Sequence, residues 1–132
     1  MIGEPEYNVC SQMQVDGLLA TLDETNLDAF LQRPGLQLLF FAGPHAVRRE
    51  AHDVAVALRE FLREYAGSLE GACIATEAES ALQPRFRVTK TPCLVLVTGG
   101  EVLELIPGVR DWAEYAEIFQ RYLGTANQAM RA

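Results

Sequence analysis

Val88-Thr89-Lys90-Thr91-Pro92-Cys93-Leu94-Val95-Leu96-Val97-Thr98-Gly99-Gly100-Glu101 begins at an X-Pro step, passes through five apolar residues and turns on a glycine pair. An apolar run of this length, bounded by turn residues, suits a buried strand and is too short for a helix. Proline at the first position of a strand removes no interior ladder bond. Gly99-Gly100 supplies the positive φ that a tight hairpin needs. Residues 102–106, Val-Leu-Glu-Leu-Ile, then return as the partner strand.

Working outward, residues 77–86 read as a short helix that Pro84 breaks early, preceded by a strand at 72–76. Residues 36–42, Leu-Gln-Leu-Leu-Phe-Phe-Ala, are apolar on both faces, the pattern of a central strand covered on each side. Gly43-Pro44 ends it. Residues 47–65 carry the longest helical pattern, with Val47, Ala51, Val54, Ala55, Leu58, Phe61, Leu62 and Tyr65 on one face and Gly67 as a C-cap. Thr25 followed by Asp28 reads as the cap of a short helix bearing Leu27, Phe30 and Leu31, which Pro34-Gly35 stops. Residues 15–22 suit only a weak edge strand, because Gly17 interrupts them. After Pro107-Gly108, Asp111-Trp112-Ala113-Glu114 is a capping box. It opens a helix whose apolar stripe is Trp112, Tyr115, Ala116, Phe119, Tyr122 and Leu123, ended by Gly124. Residues 1–14 and 125–132 are expected to be loose.

The chain of 132 residues is expected to form one domain. Its order, βαβαβαββα, predicts an α/β fold with helices on both faces of a mixed central sheet of four to five strands. A short helix before Thr91-Pro92, then strand, glycine turn, strand and final helix resembles the C-terminal half of a thioredoxin-like fold. That resemblance implies a cis bond at Thr91-Pro92.

Lys and Arg number 11 against 18 Asp and Glu, for a formal charge of −7. This argues against nucleic acid, whose binders present a basic face, and against anionic membrane surfaces. The N-terminus lacks the basic-then-apolar pattern of a signal peptide, and no apolar run has the length of a bilayer span. Cys10, Cys73 and Cys93 are widely spaced and form no CxxC, so the expected setting is the cytoplasm, with reduced thiols.

In a thioredoxin enzyme the dithiol lies between the central strand and the long helix. The matching segment here, Ala42-Gly43-Pro44-His45-Ala46-Val47-Arg48-Arg49, has no cysteine. Disulfide exchange needs a thiolate, so no such reaction is expected at this loop. His45 reads as a polar loop residue, and His45 with His52 lacks a third metal ligand. Neither a metal nor another cofactor is expected. Cys93 reads as a small buried apolar residue at a strand start; the rival reading makes Cys93 or Cys10 the thiol of a one-cysteine redox enzyme or sensor. Glu101, Glu104, Asp111, Glu114 and Glu117 form either a docking face for a basic peptide or a solvated face; for Asp111 and Glu114 the capping role takes precedence.

Several segments together resemble the HyaE/HupG/HoxO-type accessory proteins of nickel–iron hydrogenase maturation. They are Leu39-Phe40-Phe41-Ala42-Gly43, the helix segment from Arg49-Glu50-Ala51-His52-Asp53 to Leu58, Arg85-Phe86-Arg87-Val88 with Thr91-Pro92-Cys93-Leu94, and Ile106-Pro107-Gly108-Val109-Arg110-Asp111-Trp112. The chain departs from the family pattern at Arg49 and Arg59, where proline is expected. The resemblance implies a non-enzymatic chaperone that binds the hydrogenase small-subunit precursor, or its twin-arginine signal peptide, before export. The expected peptide groove is lined by Pro44, His45, Thr91, Pro92, Gly108 and Val109. The backbone of Thr91 would pair with the ligand, and Glu50 and Asp53 would meet its arginines.

Overall fold

The structure, a computed structural model, describes residues 19–44 and 48–124. The elements follow in the order β1 (Leu19–Leu22), α1 (Leu27–Leu31), β2 (Leu36–Phe41), α2 (Arg48–Glu64), β3 (Leu69–Ile74), α3 (Glu79–Leu82), β4 (Cys93–Thr98), β5 (Glu101–Pro107) and α4 (Trp112–Phe119). Single 3₁₀ turns flank α3, and α4 widens into a π turn at Gln120–Gly124. The expectations for residues 1–14 and 125–132 lie outside the described residues.

The five strands form one mixed sheet in the order β1-β3-β2-β4-β5. β3 runs parallel to both β1 and β2, whereas β4 is antiparallel to β2 and to β5. This is the thioredoxin-like α/β arrangement that the sequence predicts. Strand side chains alternate faces, and the core divides accordingly. Leu38 and Phe40 of β2 join Leu94 and Leu96 of β4 in a cluster with α2 and α4. Leu39 and Phe41 join Val95 and Val97 on the other face, with α1 and α3. Both layers are needed because Leu38 through Phe41 are all fully buried.

The weak edge strand exists as β1, held along its length by β3 from Leu19↔Gly71 to Leu22↔Ile74. β3 itself begins three residues before the expected Ala72. The segment Leu69-Glu70-Gly71 lacks an apolar alternation, yet pairing with β2 at Leu36↔Leu69 makes it strand. Gly71 lets α2 approach, since a Cβ there would stand 2.7 Å from Leu62 Cδ1. The cap of α1 also differs from expectation. Asn26 precedes the helix, and its amide oxygen accepts the Asp23 N–H at 2.8 Å. The Thr25 N–H donates to the Asp23 carboxylate at 2.8 Å, so this turn closes on Asp23 rather than capping the helix. The glycine turn behaves as expected, with Gly99 and Gly100 at φ +57° and +82°. α2 runs unbroken through Arg59, where a proline would remove a helix hydrogen bond.

Candidate functional site

The start of β4 meets the end of β5 through Cys93↔Pro107. The Thr91-Pro92 bond is cis. Pro92 is buried and Thr91 half-buried. The Pro92 carbonyl accepts the Gly108 N–H at 2.8 Å, which ties the chain leaving β5 to the proline. Gly108 has φ +74°, a conformation that glycine adopts without steric cost, and a side chain there would approach Lys90 Nζ at 3.8 Å. Among the described residues, none hydrogen-bonds the backbone of Thr91. Thr91, Pro92, Gly108 and Val109 are thus neighbours, with Pro92 and Gly108 buried beneath half-buried Thr91 and Val109, which is 45% exposed.

Arg110 fixes the next bend. Its N–H donates to the Tyr115 hydroxyl at 3.2 Å, its Nε to the Pro107 carbonyl at 2.9 Å, and its Nη1 to Glu114 at 3.4 Å. Asp111 and Glu114 form the expected capping box at the start of α4, with the Asp111 N–H donating to Glu114 Oε1 at 3.4 Å. Trp112 departs from its expected place in the apolar stripe. It is 53% exposed and lays its indole on Phe61 of α2, centroids 4.6 Å apart and planes 16° from parallel. One face of the ring is covered by Phe61 while the rest stays in water. The Tyr115 hydroxyl is pushed up chiefly by burial, with Asp53 among the nearby charges that add to the rise. The first turns of α2 thus border this loop.

On the other side, Phe41↔Cys93 brings the exit of β2 past the start of β4. Gly43 turns there at φ +90°, and Pro44 is exposed. His45 lies outside the described residues. Glu50 and Asp53 are exposed on the first turns of α2, and neither has an ion-pair partner among the described residues.

Sequence reasoning missed Glu79. Its side chain is buried, and both carboxylate oxygens accept the Gly43 N–H, at 3.1 and 3.2 Å. Burial raises its pKa above the ordinary value, opposed by hydrogen bonds from Gly43 and Ala42. The available signal was a carboxylate lying on the same stripe as Ala78 and Leu82, both buried.

The hairpin acids, left open between a docking and a solvated face, and the cysteines can now be placed. Glu104 accepts the Tyr122 hydroxyl at 2.9 Å and pairs with Arg121 at 3.4 Å, so it is committed within the fold. Glu101 sits at the hairpin end of β5, paired with Thr98, six residues from Pro107. At about 3.3 Å per residue this puts it about 20 Å along the strand from the Gly108 bend. Glu104 is therefore tied within the fold, and Glu101 lies far from the Gly108 bend. Cys93 is 2% exposed, and burial pushes its thiol up to about 11. Cys73 is buried as well, and Cys10 lies outside the described residues. Among the described residues no three His, Cys, Asp or Glu side chains cluster as metal ligands, and no helix is long and apolar enough to cross a membrane.

Comparison with known proteins adds a family. The profile described as hydrogenase-1 expression protein HyaE matches residues 9–115. The hydrogenase expression/formation protein HupG of Rhizobium leguminosarum bv. viciae is 39% identical over 109 residues, covering 80% of this chain and 73% of that protein. HupG of Bradyrhizobium diazoefficiens is 39% identical over 103 residues, covering 75% and 70%. The hydrogenase expression/formation protein HoxO of Azotobacter vinelandii is 36% identical over 107 residues, covering 81% and 72%.

Proposed function

The chain belongs to the HyaE family of hydrogenase expression proteins, and from that premise we propose that it is a cytoplasmic, non-catalytic accessory protein of hydrogenase maturation. Its partner in this reading is the hydrogenase small-subunit precursor, held through the twin-arginine signal peptide before export. The observation that carries the reading is the open backbone of Thr91, bonded by no described residue and near exposed Val109, which follows the Gly108 that bonds Pro92. An extended peptide adds there as a short strand, with main-chain bonds supplying affinity and side-chain contacts supplying selectivity. Glu50 and Asp53 receive the arginines, because a carboxylate binds a guanidinium through two parallel bonds. Lys90, beside Gly108, repels cations from the β5 side and so favours the α2 side for them.

The redox alternative is disfavoured by Cys93 itself. The thiolate is the reacting form, and a buried thiol with a pKa of about 11 stays protonated near neutrality. The test is calorimetry with the signal peptide. The Glu50→Gln, Asp53→Asn double variant should bind at least about tenfold more weakly, equivalent to 1.4 kcal/mol; unchanged affinity would remove these acids from the site. A disulfide-reduction assay should show no activity, and activity abolished by Cys93→Ala would establish the redox alternative.

A further inference from the structure

Glu79 is buried, and no cation among the described residues pairs with it. Its hydrogen-bond partner is the main-chain N–H of Gly43, at 3.1 and 3.2 Å from the two carboxylate oxygens. Among the described residues, the charged groups on the elements around it are paired with one another or exposed, Arg87 among the exposed ones. Arg85 pairs with Asp28 at 2.7 Å, and Arg33 with Glu70 at 2.6 Å. Glu77 points to solvent, and Cys93 is a neutral thiol. Among the described residues, no charged side chain contributes to the shift of Glu79. A buried ionised group is costly, and an apolar residue would fill this place beside Ala78, Leu82 and Phe86 without that cost. What the carboxylate does that an apolar residue cannot is hold the backbone where β2 ends and the Pro44 loop begins.

We propose that Glu79 is a proton-responsive anchor of the backbone leaving β2: ionised, it grips the Gly43 N–H, and protonated, it releases that grip. Protonation turns one of its two acceptor oxygens into a hydroxyl and removes the charge that strengthens the remaining bond. Gly43, at φ +90°, is the residue best able to move when the grip is lost. Pro44 follows directly, so its place beside the groove shifts with Gly43. This last consequence rests on the binding reading given above; the anchor itself does not.

The two are separated by experiment. In ¹H–¹⁵N spectra of the full chain, the Gly43 amide should move upfield as pH falls, with a midpoint above 4.5, the ordinary glutamate value. The same amide should be flat through that range in Glu79→Gln. A Gly43 amide that does not titrate in the wild type, or one that titrates identically in the variant, overturns the anchor. Peptide affinity measured alongside should fall at least about threefold more in the wild type than in Glu79→Gln across the midpoint, a threefold change being less than the tenfold of 1.4 kcal/mol. Equal falls overturn the coupling of anchor to groove. A peptide that binds neither protein at any pH overturns the binding reading, and the amide titration then decides the anchor alone.

Discussion

The acids at the start of α2 and those along β5 and α4 look alike as composition and differ as chemistry. Glu50 and Asp53 are exposed and have no ion-pair partner among the described residues. Glu104 is held by Tyr122 and Arg121, and Glu114 by Arg110 and the cap of α4. A carboxylate whose lone pairs are already filled must surrender those bonds before it can take a ligand, whereas a hydrated one gives up only water. The availability of a charge, more than its presence, separates a binding face from a structural one.

The largest expected effect comes from changing the uncommitted pair. Glu50→Gln with Asp53→Asn should reduce signal-peptide affinity at least about tenfold while lowering stability by less than about 1 kcal/mol per site, the size of a helix-dipole contribution. Chemical denaturation beside the calorimetry separates the two effects. If the double variant unfolds easily and binds normally, the two acidic regions have been assigned the wrong way round.

Glu104→Gln should do the reverse. Losing the charged acceptor of the Tyr122 hydroxyl and the Arg121 pair should cost about 1–2 kcal/mol in denaturant unfolding, with peptide affinity unchanged. A drop in affinity without a drop in stability would return β5 to the candidate site.

Glu79 sharpens the contrast, because it is committed and buried as well. Its folded pKa lies above the ordinary 4.5, with burial as the largest cause. A raised carboxyl pKa means that folding favours the protonated form. The associated stability is fully present below 4.5 and is lost as pH rises through the folded value. Wild type should therefore gain stability relative to Glu79→Gln as pH is lowered through that window, although the Gly43 loop loosens locally. A stability difference that stays constant with pH would show that the carboxyl does not titrate there.

The smallest effect is screening. Raising salt from low to physiological strength should weaken peptide binding to the wild type modestly and to the double variant less, since exposed charges are screened over about 8–10 Å. Equal salt slopes for the two proteins would mean that the arginines meet some other group.

Much of the fold follows from local pattern. The strand that starts at Pro92, the glycine turn and the long helix could be read because their signals are contiguous: an apolar run between breakers, positive-φ glycines, and 3.6-residue periodicity. The Asp111–Glu114 cap spans four residues, so its geometry is set by neighbours in the chain. The missing CxxC was equally plain, because a thiol that is absent from the sequence is absent from the loop.

What the sequence could not supply depends on residues far apart along the chain. β1 becomes a strand only when β3 offers it partners. Trp112 lies on an apolar stripe, yet it is half exposed because, among the described residues, the one ring that meets it, Phe61, comes from 51 positions earlier and covers one face. Glu104 and Glu50 are indistinguishable as letters, and the pairing of Glu104 with Arg121 and Tyr122 arises when α4 folds back along β5. Glu79 and Gly43 lie 36 residues apart. Periodicity determined which face each helix buries, and packing decided which carboxylates on those faces remain open to a ligand, because desolvation and hydrogen bonding depend on what surrounds a group in space.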